Sequence, residues 1–135
     1  MDQPQASSQE RAHKLLIVDD EPKSCEALGH YFTLKGYAVR TVLRGEEALA
    51  LAKAYLPDVV ICDLLMPGMD GVTLLKHLKQ LDPAPKVIML SGADLDDVID
   101  GALKLGADSY VCKPPDLAQL ERLVSGFWPS RKGPS

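Results

Sequence analysis

Five short apolar runs recur along the chain: Leu15–Val18, Ala38–Val42, Val59–Cys62, Val87–Leu90 and Tyr110–Cys112. Most are rich in β-branched residues and too short to be helices, which predicts strands. The first, third and fourth are apolar throughout rather than alternating, the pattern of strands buried on both faces of a parallel sheet. Helical periodicity fills the intervals. Pro22 to Lys35 sets Cys25, Leu28, Phe32 and, less regularly, Tyr31 on one side, with Gly36 as a stop. Gly45 to Tyr55 carries Ala48, Leu49 and Ala52, and Pro57 closes it. Val72 to Leu81 carries Leu74, Leu75 and Leu78. Leu95 to Leu105 carries Val98, Ile99, Ala102 and Leu105, with Asp94 as N-cap and Gly106 as the stop. Asp116 to Val124 carries Leu117, Leu120 and Leu123 behind an Asp cap. Strand and helix alternate five times. That order predicts an α/β fold with a five-stranded parallel sheet, helices on both faces and strand order 2-1-3-4-5.

Composition narrows this picture without redirecting it. At 135 residues the chain is one domain in size. Its halves show no internal repeat. Residues 1–13 read as a disordered tail, 14–126 as the folded domain, and 127–135 as a C-terminal tail or the start of a linker. The formal net charge of -4 disfavours contact with nucleic acid or anionic lipid. The longest unbroken apolar runs are four to five residues, against about 20 for a membrane span. The polar N-terminus lacks the apolar segment of a signal peptide, so the expected location is cytoplasmic. Cys25, Cys62 and Cys112 show no metal-ligand spacing and no even-numbered framework, which predicts reduced thiols. Cys62 and Cys112 lie inside apolar runs and are expected in the core, pointing away from the rim chemistry. His13, His30 and His77 are scattered and receive no role.

The candidate chemistry lies just past the end of each strand, because open parallel sheets bind ligands at the carboxyl ends of their strands. Asp19, Asp20 and Glu21 come after the first, Asp63 after the third, Ser91 and Gly92 after the fourth, and Lys113 and Pro114 after the fifth. Taken singly, each has a plain explanation: a helix cap, a loop acid, a turn, a solvated lysine. Together they fall on one rim of four neighbouring strands. Two unit charges 4 Å apart interact by about 4 kcal/mol at an effective dielectric near 20, so three carboxylates there must raise a pKa or bind a cation. Hard carboxylate oxygens suit Mg²⁺, or Mn²⁺ in its place. A divalent cation, an ammonium and a hydroxyl around one carboxylate make a site for a phosphoryl group, with the carboxylate as nucleophile.

Four spaced motifs carry a resemblance: Leu-Ile-Val-Asp19-Asp20-Glu21-Pro22, Asp63-Leu-Leu-Met-Pro67-Gly-Met-Asp70-Gly71, Leu90-Ser91-Gly92-Ala93, and Gly106-Ala-Asp-Ser-Tyr110-Val-Cys-Lys113-Pro114. Over roughly Lys14 to Ser125 the sequence resembles the receiver domains of two-component response regulators. The resemblance implies Asp63 as phosphoacceptor and a metal held by Asp19, Asp20, Asp63 and the backbone carbonyl of Leu65, with Asp20 direct and Asp19 mainly through water. It implies that Lys113 pairs with Asp63 and then with the phosphoryl oxygens. Ser91 would hydrogen-bond to the phosphoryl group and Tyr110 would swing in behind it. A cis Lys113–Pro114 bond is also implied, and Gly71 would allow the tight loop after Pro67. Met66, Pro67 and Met69 read as loop-shaping residues. Ser91 keeps the hydroxyl where Thr is also common, and Pro115 stands where many relatives have Phe.

The implied partners are a sensor histidine kinase or phosphotransfer protein and a downstream output domain or protein, with no nucleic acid or membrane contact by this segment. A phosphorylation-dependent dimer is compatible with the family. The implied activity is limited to the domain's own phosphotransfer and dephosphorylation, signalled through the face of the fourth helix, fifth strand and fifth helix. The alternative is a receiver-like interaction module that is never phosphorylated, which the full aspartate set with Lys113 disfavours. An Asp-nucleophile phosphatase would need an acid two residues after Asp63, where Leu65 stands. A flavin-binding relative of the fold would need a phosphate-cradling first loop rather than Asp-Asp-Glu.

Overall fold

The computed structural model describes residues 13–64, 68–92 and 96–127, with 96–98 by backbone only. Five strands, β1 (Lys14–Val18), β2 (Ala38–Val42), β3 (Val59–Asp63), β4 (Lys86–Ser91) and β5 (Ser109–Cys112), alternate with five helices, α1 (Pro22–Leu34), α2 (Gly45–Tyr55), α3 (Gly71–Leu78), α4 (Asp96–Lys104) and α5 (Leu117–Gly126). All neighbouring strands run parallel, in the order β2-β1-β3-β4-β5. This is the expected fold and order.

Strand alternation divides the core in two. Leu16, Val18, Val60, Cys62, Val87 and Met89 face one side, under Ala48 and Ala52 of α2, Leu74, Leu75 and Leu78 of α3, and Ala102 of α4. Leu15, Ile17, Val59, Ile61, Ile88 and Leu90 face the other, under Cys25, Leu28 and Phe32 of α1 and Leu120 and Val124 of α5. The central strands β1, β3 and β4 are buried along nearly their whole length, whereas edge strand β2 is half-open to solvent. A chain with apolar residues on both faces of three strands has no other way to hide them.

Helix ends obey their local chemistry. Pro22 opens α1 at its first position, where its missing N–H is not needed. The Asp70 and Asp116 carboxylates accept from Thr73 N (2.8 Å) and Gln119 N (3.1 Å), capping α3 and α5. The Asp116 cap starts α5 directly after Pro115. Helix α2 ends at Tyr55, and Leu56 after it takes the left-handed conformation (φ 53°) that often closes a helix.

Several expected boundaries are corrected. Helix α3 stops at Leu78 rather than Leu81: the chain turns through Gln80 N to His77 O and Leu81 N to Leu78 O, ahead of Asp82, whose position before Pro83 disfavours helix. Helix α4 stops at Lys104, so Leu105 lies beyond it, 41% exposed rather than on the inner face. Asp94 and Leu95, its expected start, lie outside the described residues, as does the side chain of Val98. His13 belongs to the fold rather than to the tail, because its carbonyl accepts from Ala38 N (2.9 Å). Phe127 likewise caps α5 and packs against the second core cluster, while 1–12 and 128–135 lie outside the described residues. Cys112 is exposed, not in the core: it ends β5, an edge strand with no further strand beside it among the described residues. No helix among the described residues is long and apolar enough to cross a membrane.

Candidate functional site

The carboxyl ends of β1, β3, β4 and β5 bring the expected residues to one rim. Asp19 comes directly after β1, and its N–H reaches Val42 O at the end of β2 (3.2 Å). Asp63 is the last residue of β3 and Ser91 the last of β4, each inside its strand rather than one step past it as the apolar pattern implied. Asp63 pairs in register with Leu90, and Leu64 N donates to Leu90 O (2.7 Å), which aligns these two strand ends. Lys113 comes directly after β5, tied by its N–H to Ser91 O (2.9 Å), and its bond to Pro114 is cis as expected.

Burial separates the members of the cluster. Asp19 (1%), Asp63 (6%) and Ser91 (1%) are the buried polar side chains among the described residues, while Asp20 is exposed. Ligand oxygens of Asp19, Asp20 and Asp63 all lie within 4.8 Å of one another. Lys113 Nζ stands between two of them, 2.9 Å from Asp19 Oδ2 and 3.2 Å from Asp63 Oδ2. The family resemblance pairs Lys113 with Asp63 alone; the shorter contact is to Asp19. Burial by itself lowers the Lys113 pKa, but the Asp19 hydrogen bond and the charges of Asp63 and Asp19 outweigh it and leave the ammonium above its usual value.

Three carboxylates and one ammonium leave a formal charge of -2 in this small volume. A hard divalent cation cancels that charge and prefers this all-oxygen donor set, so the residues present fit such an ion. Leu65, the expected backbone ligand, lies outside the described residues, as do Met66 and Pro67.

The start of α3 packs closely against the end of β3. Gly71 is required by a close approach rather than by backbone freedom, since among the described residues of that segment the positive φ belongs to Gly68 (79°). A Cβ at Gly71 would lie 2.4 Å from Asp63 O and 2.7 Å from Leu64 Cα. Gly71 N also donates to Leu64 O (3.0 Å). Tyr110, three residues before Lys113 on β5, is half-buried against the first core cluster, and its hydroxyl lies 3.6 Å from Cys112 Sγ.

Two contributors escape a reading of the sequence. Glu21 N donates to Asp19 Oδ1 (2.9 Å), the turn an Asp makes by accepting from the N–H two residues on. Cys25, expected only on the inner face of α1, sets its Sγ 3.3 Å from Asp19 O. Burial, aided by the Asp19 charge, pushes its thiol up to about 11. A cleft of about 430 Å³ opens beside this group, between the start of α1 and the β5–α5 loop, with Asp19, Glu21 and Lys113 at its polar edge and Leu28, Leu90 and Leu117 among its apolar walls.

Known proteins resemble this chain in sequence and fold. The family description "Response regulator receiver domain" matches residues 15–125. The chain is similar to a probable transcriptional regulator, ycf27, of Cyanidium caldarium, 38% identical over 87% of this chain and 47% of that protein. It is also similar to the transcriptional regulatory protein KdpE of Mycobacterium tuberculosis, 41% identical over 74% of this chain and 44% of that protein. The chain thus spans about half the length of the curated relatives it matches. Among solved structures it is similar to a putative response regulator from Chloroflexus aurantiacus, with TM-score 0.81 and 35% identity over 87% of this chain and 98% of that one. A chain of the CheX–CheY–BeF3–Mg complex from Borrelia burgdorferi aligns with TM-score 0.79 and 34% identity, covering 87% of this chain and 90% of that one. With fold, rim and sequence in agreement, this chain belongs to the response regulator receiver domain family.

Proposed function

We propose that this domain is a phosphorylation-driven signalling switch that takes a phosphoryl group from a phosphohistidine onto Asp63. The observation that carries the reading is Lys113 Nζ lodged between two buried carboxylates, with Asp20 completing an oxygen cluster beside them. In the transfer a carboxylate oxygen of Asp63 attacks phosphorus, a P–O bond forms, and the P–N bond breaks with its electron pair leaving on the imidazole. Asp19, Asp20 and Asp63, with the Leu65 carbonyl, would hold Mg²⁺. When bound, that ion neutralises phosphoryl oxygens and lowers the repulsion between an anionic donor and the acidic rim. Lys113, already within 3.2 Å of Asp63, supplies the second positive charge. The Borrelia complex, which contains BeF3 and Mg, supports this assignment by likeness.

Ser91 and Tyr110 form the readout. The buried Ser91 hydroxyl turns toward the new phosphoryl oxygens, and Tyr110 moves inward from its half-buried position. The face of α4, β5 and α5 then changes shape for a partner, which needs to prefer one state by only about 1–3 kcal/mol. The donor is a sensor histidine kinase or phosphotransfer protein. The receiver of the signal is an output domain or protein, and likeness to transcriptional regulators favours transcription as the output.

The test is intact mass after incubation with acetyl phosphate and Mg²⁺. The wild type gains one phosphoryl group, Asp63→Asn gains none, and chelating the metal abolishes the gain. If the wild type gains nothing, and beryllofluoride with Mg²⁺ leaves the NMR signals of Ser91 and Tyr110 unmoved, the reading fails in favour of a non-phosphorylated interaction module.

A further inference from the structure

All four polar atoms of Asp19 are engaged. Its N–H donates to Val42 O (3.2 Å), Oδ1 accepts from Glu21 N (2.9 Å), and Oδ2 accepts from Lys113 Nζ (2.9 Å). The first continues a strand ladder, the second is a local turn, and the third belongs to the rim chemistry. The fourth atom, the main-chain carbonyl, faces the thiol of Cys25 (3.3 Å), and this contact is buried. The same sulfur lies 3.6 Å from Val42 O, the carbonyl that already accepts the Asp19 N–H. Cys25 therefore sits where the ends of β1 and β2 meet the first turn of α1, 4% exposed. A thiol is a weak donor, but a buried carbonyl without a partner is unfavourable, so even a weak donor matters there.

We propose that Cys25 is a positioning residue for the metal site: its thiol holds the main chain of Asp19 and so aims the Asp19 carboxylate at the rim. This rests on the proposed metal site. Groups that orient a ligand without touching the ion commonly influence metal affinity. The competing explanation is packing, since a cysteine on the inner face of a helix often does nothing more. Volume and hydrogen bonding separate the two. Cys25→Val keeps an apolar side chain of similar size and removes the donor. Cys25→Ser keeps a donor and loses size.

The experiment is calorimetric titration of the full chain with Mg²⁺ for the wild type, Cys25→Val and Cys25→Ser, with thermal melts in the same buffer. Cys25→Ala replaces Cys25→Val should the latter not fold. The expected result is a Kd about three- to tenfold weaker for the Val variant, the scale of one neutral hydrogen bond, with the Ser variant within about twofold of wild type whatever its melting temperature. A wild type that binds no Mg²⁺ overturns the metal reading and this inference with it. A wild type that binds, with a Val variant that binds equally well, overturns the inference alone. So does a loss of affinity that tracks the melting temperature across the variants, which is the signature of packing.

Discussion

The two ends of the sheet handle charge in opposite ways. At the amino ends of the strands, Asp58 and Asp108 have donors of their own, and Asp108 is matched by lysines. Asp58 accepts from Lys14 N (2.9 Å), and Lys14 Nζ reaches Tyr55 O (2.9 Å). Asp108 accepts from Lys79 Nζ (2.7 Å) and Val87 N (2.9 Å), with Lys86 Nζ 3.8 Å away, and Lys79 also reaches Pro85 O. These contacts bind the start of β5 to β4 and to the end of α3. At the carboxyl ends, three acids cluster and one lysine pairs with two of them. Repulsion that is neutralised at one end is left standing at the other. Matched charge holds chain to chain, whereas unmatched charge costs stability until a cation or phosphoryl group arrives.

The largest effect is expected where the rim is packed most tightly. Gly71→Val drives a side chain into the Asp63 carbonyl and the Leu64 backbone, neither of which can give way as a flexible side chain would. Overpacking of this kind lowers stability by about 3 kcal/mol. Urea unfolding measures it, and an unchanged midpoint would mean that the loop yields. Next comes the opposite end. Asp108→Ala strands the buried Val87 N–H and loses the Lys79 pair, which lowers stability by about 2 kcal/mol. Mg²⁺ affinity measured in the same samples stays at the wild-type value if the two ends act independently; a parallel loss would break the comparison. The smallest effect has the opposite sign. Asp20→Asn relieves like-charge repulsion and raises stability by about 0.5–1 kcal/mol without metal, yet it removes the stabilisation that added Mg²⁺ gives the wild type. Melting curves with and without Mg²⁺ read both parts, and an unchanged metal response would remove Asp20 from the ligand set.

Much of this was legible in the chain. Runs such as Val59–Cys62 and Val87–Leu90 are apolar on both faces, so burial under helices on two sides was the only arrangement open to them. Alternation of strand and helix pointed to a parallel sheet, for which 2-1-3-4-5 is a common order, and that order implied which strand ends share a rim. That shared rim is where Asp19, Asp20, Asp63, Ser91 and Lys113 fall in the sequence. Asp116 was legible as a cap because capping involves neighbours in sequence.

The remainder depended on contacts between residues far apart in the chain. Lys113 prefers Asp19, 94 positions away, and only the relative placement of β1 and β5 across β3 and β4 sets that distance. Cys62 and Cys112 look alike in sequence, each in an apolar run before a site residue, yet one is sealed beneath α2 and α3 and the other is open on an edge strand. The glycine at 71 reads locally as a turn, but its lack of a side chain answers to the Asp63 carbonyl above it. Local pattern therefore determined which residues are apolar, which segments are strands, and which polar groups reach the rim. Tertiary structure decided which of those groups touch, because partner, distance and exposure depend on strand position in the sheet and on what covers each face.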